Sequence, residues 1–253
     1  MLITIKKICI LSLALLSPIT VAERIEHIQS TGEIELCVHP DQMPFSLRAE
    51  KPKGFQVDMA KAIAQKLDVS LNVSWIRPRR QAKKTGCDFY TGVANLGKGD
   101  SKYMRISDTY MRLEFKVVTR NGGHDIKTID DLKTKVVGVS PGSIASHTLS
   151  DSGVNLAYRF RDEASRLQAL ADGLIDAAIV TNVSSGWFQK NNGNVFNVVD
   201  AEEVLSVPLN YNYSLGLRKA DENTKQAFNK ILLEMKTDGT LMDIFDKYGI
   251  AYN

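Results

Sequence analysis

The chain runs to 253 residues, of which 43% are hydrophobic and 24% charged, with 3 cysteines and a formal net charge of +3. So slight an excess of basic groups leaves no electrostatic footprint for nucleic acid. No apolar run approaches the ~20 residues that a membrane-spanning helix needs, so nothing in the sequence anchors it in a bilayer.

Lys6 and Lys7 precede an apolar run over residues 8–16, and Pro18 then leads to the small-residue ending Thr20, Val21, Ala22. That order is the pattern of a secretory signal peptide, expected over residues 1–22 and cleaved after Ala22. Cys9 lies inside the apolar run, away from any lipid-attachment site at its end, so the remaining chain is expected free in the periplasm. Loss of Lys6 and Lys7 takes the formal charge from +3 to +1. Cys37 and Cys87 remain, and an oxidising compartment lets such a pair form one disulfide. His27, His39, His124 and His147 stand at no ligand spacing with one another or with these cysteines, so no metal is expected.

The roughly 230 residues left are many for one core and suit two lobes of about 100 residues each. Ile34, Leu36 and Val38 alternate with polar neighbours as a first strand, and residues 39–46 form a loop punctuated by proline. Phe55, Met59, Ile63 and Leu67 recur every four residues, which predicts a helix with one apolar face. Leu71, Val73 and Trp75 alternate in a second strand, with Trp75 expected in the core. Residues 88–93 read as a third strand that ends in a turn over Gly92, Val93, Ala94 and Asn95. This β-α-β order implies a mainly parallel sheet, with ligand contacts beyond the carboxyl ends of its strands, where loops 39–46 and 91–97 fall.

A hydrophobic segment over residues 113–119 and an Asn121, Gly122, Gly123 turn lead to a second series. Its first strand spans residues 135–139, and Ser140, Pro141, Gly142 and Ser143 open a helix. Free N–H groups at that helix start suit an anionic ligand group, and a plain capping role for the same residues fits equally well. Asp162 caps a helix carrying Leu167 and Ala171, Gly173 ends it, and residues 175–180 form a buried strand with Thr181 and Asn182 at its tip. Residues 209–217 alternate as a strand returning to the first lobe, Asp221 opens a helix, and Leu241, Ile244, Phe245 and Tyr248 mark the last one.

Five stretches together resemble the type II periplasmic solute-binding proteins of family 3: LCVHPDQMPFS at 36–46, GFQVDMAKAIAQKL at 54–67, IDDLKTKVVGV at 129–139, ALADGLID at 169–176 and KTDGTLMDIFDKYG at 236–249. The resemblance covers nearly all of the chain beyond the signal peptide. It is closer still to the MxaJ/XoxJ group, binding-protein-like accessories of quinoprotein methanol dehydrogenases. A cysteine in the first strand, WIRPRR at 75–80, TGCDFYTGV at 85–93 and the Tyr110, Met111, Arg112 stretch carry that likeness. The chain departs from the group by being shorter between Arg80 and Cys87.

The resemblance implies an α/β fold of two doubly wound lobes joined by two crossing segments. One lobe comprises residues 23–115 plus 209–253, the other residues 116–208. Its ligand would lie in the cleft between them, near Asp41, Phe45, Gly92, Ala94, Asn95 and Tyr110 on one side and Ser140, Gly142, Ser143, Thr181 and Asn182 on the other. Phe45 suits the cleft, and core packing is its alternative. Amino-acid-binding relatives carry an arginine where Asp100 stands and a carboxylate where Thr181 or Asn182 stands. An α-amino acid is therefore expected to bind weakly.

No cofactor motif and no nucleophile-base set appears, so the chain is expected to bind rather than catalyse. The group likeness implies a quinoprotein dehydrogenase or its cytochrome as partner, with Arg79 and Arg80 on the contact surface. Its alternatives are an ABC permease as partner, with the cleft as a transport receptor, and a dehydratase on this fold using Asp41 or Asp108 as its acid. Arg77, Arg79 and Arg80 also read as solvated loop residues.

Overall fold

The computed structural model describes residues 24–251 apart from 50, 78–80, 98, 102, 124 and the side chain of 83. The expected signal peptide over residues 1–22 and the pair Arg79 and Arg80 lie outside the described residues.

Helix α1 (Arg24–Thr31) precedes strand β1 (Glu33–Val38), and the loop after it folds into a small hairpin of β2 (Asp41–Gln42) and β3 (Ser46–Leu47). Helix α2 (Phe55–Lys66) follows, and its Phe55, Met59 and Ile63 are fully buried, as their spacing on one face requires. Strands β4 (Ser70–Trp75), β5 (Phe89–Asn95) and β6 (Met104–Leu113), with the short helix α3 (Ala82–Thr85), complete the first pass. Strand β1 pairs in parallel with both β4 and β5, the 2-1-3 order of a doubly wound sheet. That neighbourhood puts the Cα atoms of Cys37 and Cys87 5.7 Å apart, and the two are bridged.

Glu114 alone separates β6 from β7 (Phe115–Arg120), so residues expected to cross between lobes form a strand of the second sheet. A 3-10 turn at Ile129–Leu132, β8 (Val136–Gly138), α4 (Ile144–Asp151), β9 (Asn155–Ala157), α5 (Glu163–Ala171) and β10 (Ala177–Thr181) continue it. Then come α6 (Asn182–Asn192), β11 (Phe196–Asp200) and α7 (Ala201–Leu205), and the second sheet is ordered β11-β7-β10-β8-β9. Every residue of β10 is buried: Ala177 and Ile179 join one apolar cluster, Ala178 and Val180 another. A strand covered on both faces reads as continuously apolar.

Strand β12 (Tyr211–Arg218) returns between β5 and β6, giving the first sheet the order β4-β1-β5-β12-β6, and α8 (Glu222–Thr237) and α9 (Thr240–Lys247) close the chain over it. The fold is the expected two-lobed α/β arrangement, but both sheets are mixed and not mainly parallel. Strand β12 runs antiparallel to both its neighbours, and β7 runs antiparallel to β10 and β11. The same pairing extends β5: Asn212 lies opposite Asn95 and Tyr213 opposite Ala94, so Gly92, Ala94 and Asn95 sit in a strand and not in a turn. Ser143, Asp162 and Asp221 cap their helices as their residue types predict.

Candidate ligand-binding cleft

A cavity of about 490 Å³ opens between elements of the two sheets. From the loop and hairpin after β1 of the first come His39, Asp41, Gln42, Met43 and Phe45, and from the loops and helices beside the second Ser140, Arg161, Asp162, Glu163, Ala164, Arg166 and Ser184. His39, Gln42 and Phe45 also line an adjoining cavity of about 250 Å³ that reaches Gln56, Arg77, Tyr90, Gly92 and Tyr213. Phe45 satisfies both of its readings. It is 6% exposed with its ring 5.4 Å from that of Phe55, and its edge forms cleft wall.

The first wall is the β2-β3 hairpin, drawn back on itself where the Ser46 hydroxyl donates to the His39 carbonyl at 2.7 Å and the Asp41 N–H donates to His39 Nδ1 at 3.1 Å. Gly92 has no room for a side chain, since a Cβ there would stand 2.3 Å from Gln56 Nε2.

The opposite wall is the start of α5. Asp162 Oδ1 accepts the Ser165 N–H at 2.7 Å, and Glu163 Oε2 accepts both the Thr181 N–H at 3.1 Å and the Thr181 hydroxyl at 2.6 Å. Arg166 is 1% exposed. Its Nη1 donates to the carbonyls of Phe160 and Arg161 at 3.2 and 3.3 Å, its Nη2 stands 3.9 Å from Glu163 Oε1, and its Nε has no partner among the described residues. Burial pulls the Arg166 guanidinium below its ordinary value, against the charges of Glu163 and Asp162.

Of the residues singled out in the sequence, Asp41, Phe45 and Ser140 line the larger cavity and Gly92 the smaller. Tyr110 is buried, its hydroxyl donating to the Thr91 carbonyl, and lines neither. Asn95 faces a separate cavity beside Arg112, Ile144 and Tyr211. Ser143 Oγ is occupied in capping α4, accepting the Ser146 N–H at 3.1 Å and donating to the Ser140 carbonyl at 2.8 Å. Gly142 is exposed at φ +69°. Thr181 is buried beneath Glu163 as the N-cap of α6. Asn182 ties the crossing, accepting the Glu114 N–H at 3.2 Å and donating to the Arg112 carbonyl at 3.3 Å.

Asp100, the expected stand-in for an arginine, lies away from both cleft cavities. It accepts from the Ile106 N–H at 2.7 Å, Arg105 at 3.1 Å and Lys225 at 3.3 Å. Burial raises its carboxyl, and these bonds outweigh it and hold the carboxyl below the usual range. Asp108 and Asp100 line a further pocket with Ser107, Thr109 and Lys225, whereas Asp41 is exposed at the cleft.

Sequence reading missed Arg161, Glu163 and Arg166. The available signal was position: RDEASR at 161–166 follows β9 as HPDQMPFS follows β1, at a strand's carboxyl end.

A family model matches residues 34–251 of this two-lobed frame. The chain belongs to the bacterial extracellular solute-binding proteins, family 3. Within this family, the L-cystine-binding protein TcyJ of Escherichia coli K12 is 25% identical over 228 residues, 87% of this chain and 84% of its own. The lysine/arginine/ornithine-binding periplasmic protein of the same strain is 28% identical over 223 residues, 81% of this chain and 83% of its own. The crystal structure of the periplasmic binding protein XoxJ from Methylobacterium extorquens AM1 superposes with a TM-score of 0.69 at 27% identity, over 87% of this chain and 99% of its own.

Proposed function

We propose that this family 3 protein is a periplasmic receptor that captures a small polar solute in its cleft and presents it to an ABC permease. The observation that carries the reading is the cavity of about 490 Å³ walled by charged and polar side chains from the hairpin after β1 and from the loop and helix α5 after β9. Curated relatives named for binding cystine and basic amino acids support it. In this reading residues 23–115 with 209–253 and residues 116–208 form two lobes, and ligand binding favours their closure. Asp41, Phe45 and Ser140 contact the ligand, the signal peptide is removed on export, and the protein binds without turning its ligand over. Isothermal calorimetry and solution scattering on the mature chain test this. Binding of one solute with a smaller radius of gyration is the expected result, and a solute bound with no effect of filling the cleft by Ser140→Trp overturns it.

A second reading, an accessory of a periplasmic quinoprotein methanol dehydrogenase or its cytochrome, is favoured by the likeness to XoxJ and by the bridged Cys37 and Cys87 in their motifs. In this case deletion of the gene lowers active dehydrogenase without changing solute uptake, and charge reversal at Arg79 and Arg80 weakens the complex. Normal dehydrogenase activity beside failed uptake of one solute overturns it.

A further inference from the structure

We propose that Glu163 is the anchor for an ammonium group on the ligand, with Arg166 as its positioning residue, an assignment that rests on the cleft being the ligand site. The Glu163 carboxylate is held before any ligand arrives, because both Thr181 donors converge on Oε2. A carboxylate offers about four acceptor sites, so Oε1 keeps free lone pairs. The side chain is 21% exposed and lines the cavity, which gives those lone pairs a path to a ligand.

Arg166 lines the same cavity from a buried position beside Glu163. It is 1% exposed, and its Nη2 stands 3.9 Å from Oε1, too far for a hydrogen bond. Its buried Nε lacks a partner among the described residues. Here the guanidinium is a fixed group beside the carboxylate, held by the Phe160 and Arg161 carbonyls with its Nη2 3.9 Å from Oε1. The charged groups of the cavity wall are Asp41, Asp162 and Glu163 against Arg161 and the buried Arg166, with His39 beside them. Three acids against two arginines leave an excess of negative charge that favours a cationic group, and Glu163 is the acid among them that is fixed by two donors from a neighbouring strand.

The ammonium can belong to an amino acid or to a diamine, and L-lysine, L-arginine, L-cystine and putrescine separate these sources, with succinate and D-glucose as controls. Calorimetry on the mature chain is expected to show binding of at least one ammonium probe, weakened about 10- to 100-fold in Glu163→Gln. The glutamine keeps an oxygen for Thr181, so the thermal midpoint without ligand should hold. Arg166→Met should weaken binding of the ammonium probe and Arg166→Lys should recover part of it at an unchanged thermal midpoint, whereas a role confined to packing would move the thermal midpoint and give no recovery with lysine. Equal affinity in Glu163→Gln overturns the assignment. Binding of succinate or glucose alone also overturns it and leaves the cleft receptor standing. An ammonium probe indifferent to both Glu163→Gln and Ser140→Trp binds elsewhere and overturns both, and failure of every ammonium probe to bind overturns the assignment.

Discussion

Asp58, on α2, shows how single residues join distant parts of the chain. Its Oδ2 accepts from Lys247 Nζ at 2.6 Å and the Tyr248 hydroxyl at 2.8 Å, while the Tyr248 oxygen accepts the Gly54 N–H at 3.1 Å. Burial by itself raises the Asp58 carboxyl, and hydrogen bonds from Lys247, Tyr248 and Lys61 outweigh it and hold the carboxyl below its ordinary 3.8. The folded state thus binds this proton more weakly than the unfolded chain does. The resulting stabilisation is complete above the ordinary value and is lost as pH falls through the lower folded one. Asp58→Asn is expected to cost about 1–3 kcal/mol at neutral pH, read from urea unfolding. The difference from the wild type should narrow as pH falls below the ordinary 3.8 and through the lower folded value; a difference independent of pH would show that charge is not involved.

At the scale of elements, α6 closely approaches the end of α9 and the residues just after it. Helix α6 follows β10 of the second sheet, yet Val183 sits in the core of the first lobe, the Trp187 ring lies 5.6 Å from that of Tyr248, and Lys190 Nζ donates to the Asp246 carbonyl at 2.7 Å. Glycine permits the approach: a Cβ on Gly186 would stand 2.0 Å from the Gly249 carbonyl oxygen. Backbone cannot yield as a flexible side chain does, so Gly186→Ala must push the helices apart. A loss of about 1–3 kcal/mol in urea unfolding is expected. An unchanged midpoint would mean that α6 shifts freely over α9.

For the whole molecule, the decisive region is the pair of strands' ends where the chain passes between sheets. Glu202 Oε1 accepts the Leu209 and Asn210 N–H groups at 2.6 and 2.7 Å, and Asn210 Oδ1 accepts the Phe115 N–H at 2.8 Å. Lys116 bridges Glu114 and Asp200 at 2.7 and 3.1 Å. One passage is thereby stitched to the other, which limits how the lobes move. Glu202→Ala leaves two N–H groups without their acceptor, so amide exchange at residues 209 and 210 should rise and the unliganded radius of gyration should broaden in solution scattering. Exchange at the wild-type rate would show that Glu202 does not restrain the passage.

Local chemistry made much of this legible. Periodic apolar residues placed α2 and β1, residue type placed the caps Ser143, Asp162 and Asp221, and an even cysteine pair in an exported chain announced the bridge between Cys37 and Cys87. With a sequence separation of 50, that bridge is worth on the order of 4 kcal/mol by chain entropy. Tertiary structure alone decided the rest. Strand β7 and the end of β5 owe their form to partners far away in sequence, and the side chains of Tyr110 and Asn182 went to a strand carbonyl and to the crossing backbone. Glu163 met Thr181 only because α5 packs against β10, and no local pattern records which two of several polar residues a folded chain will bring within 2.6 Å of each other.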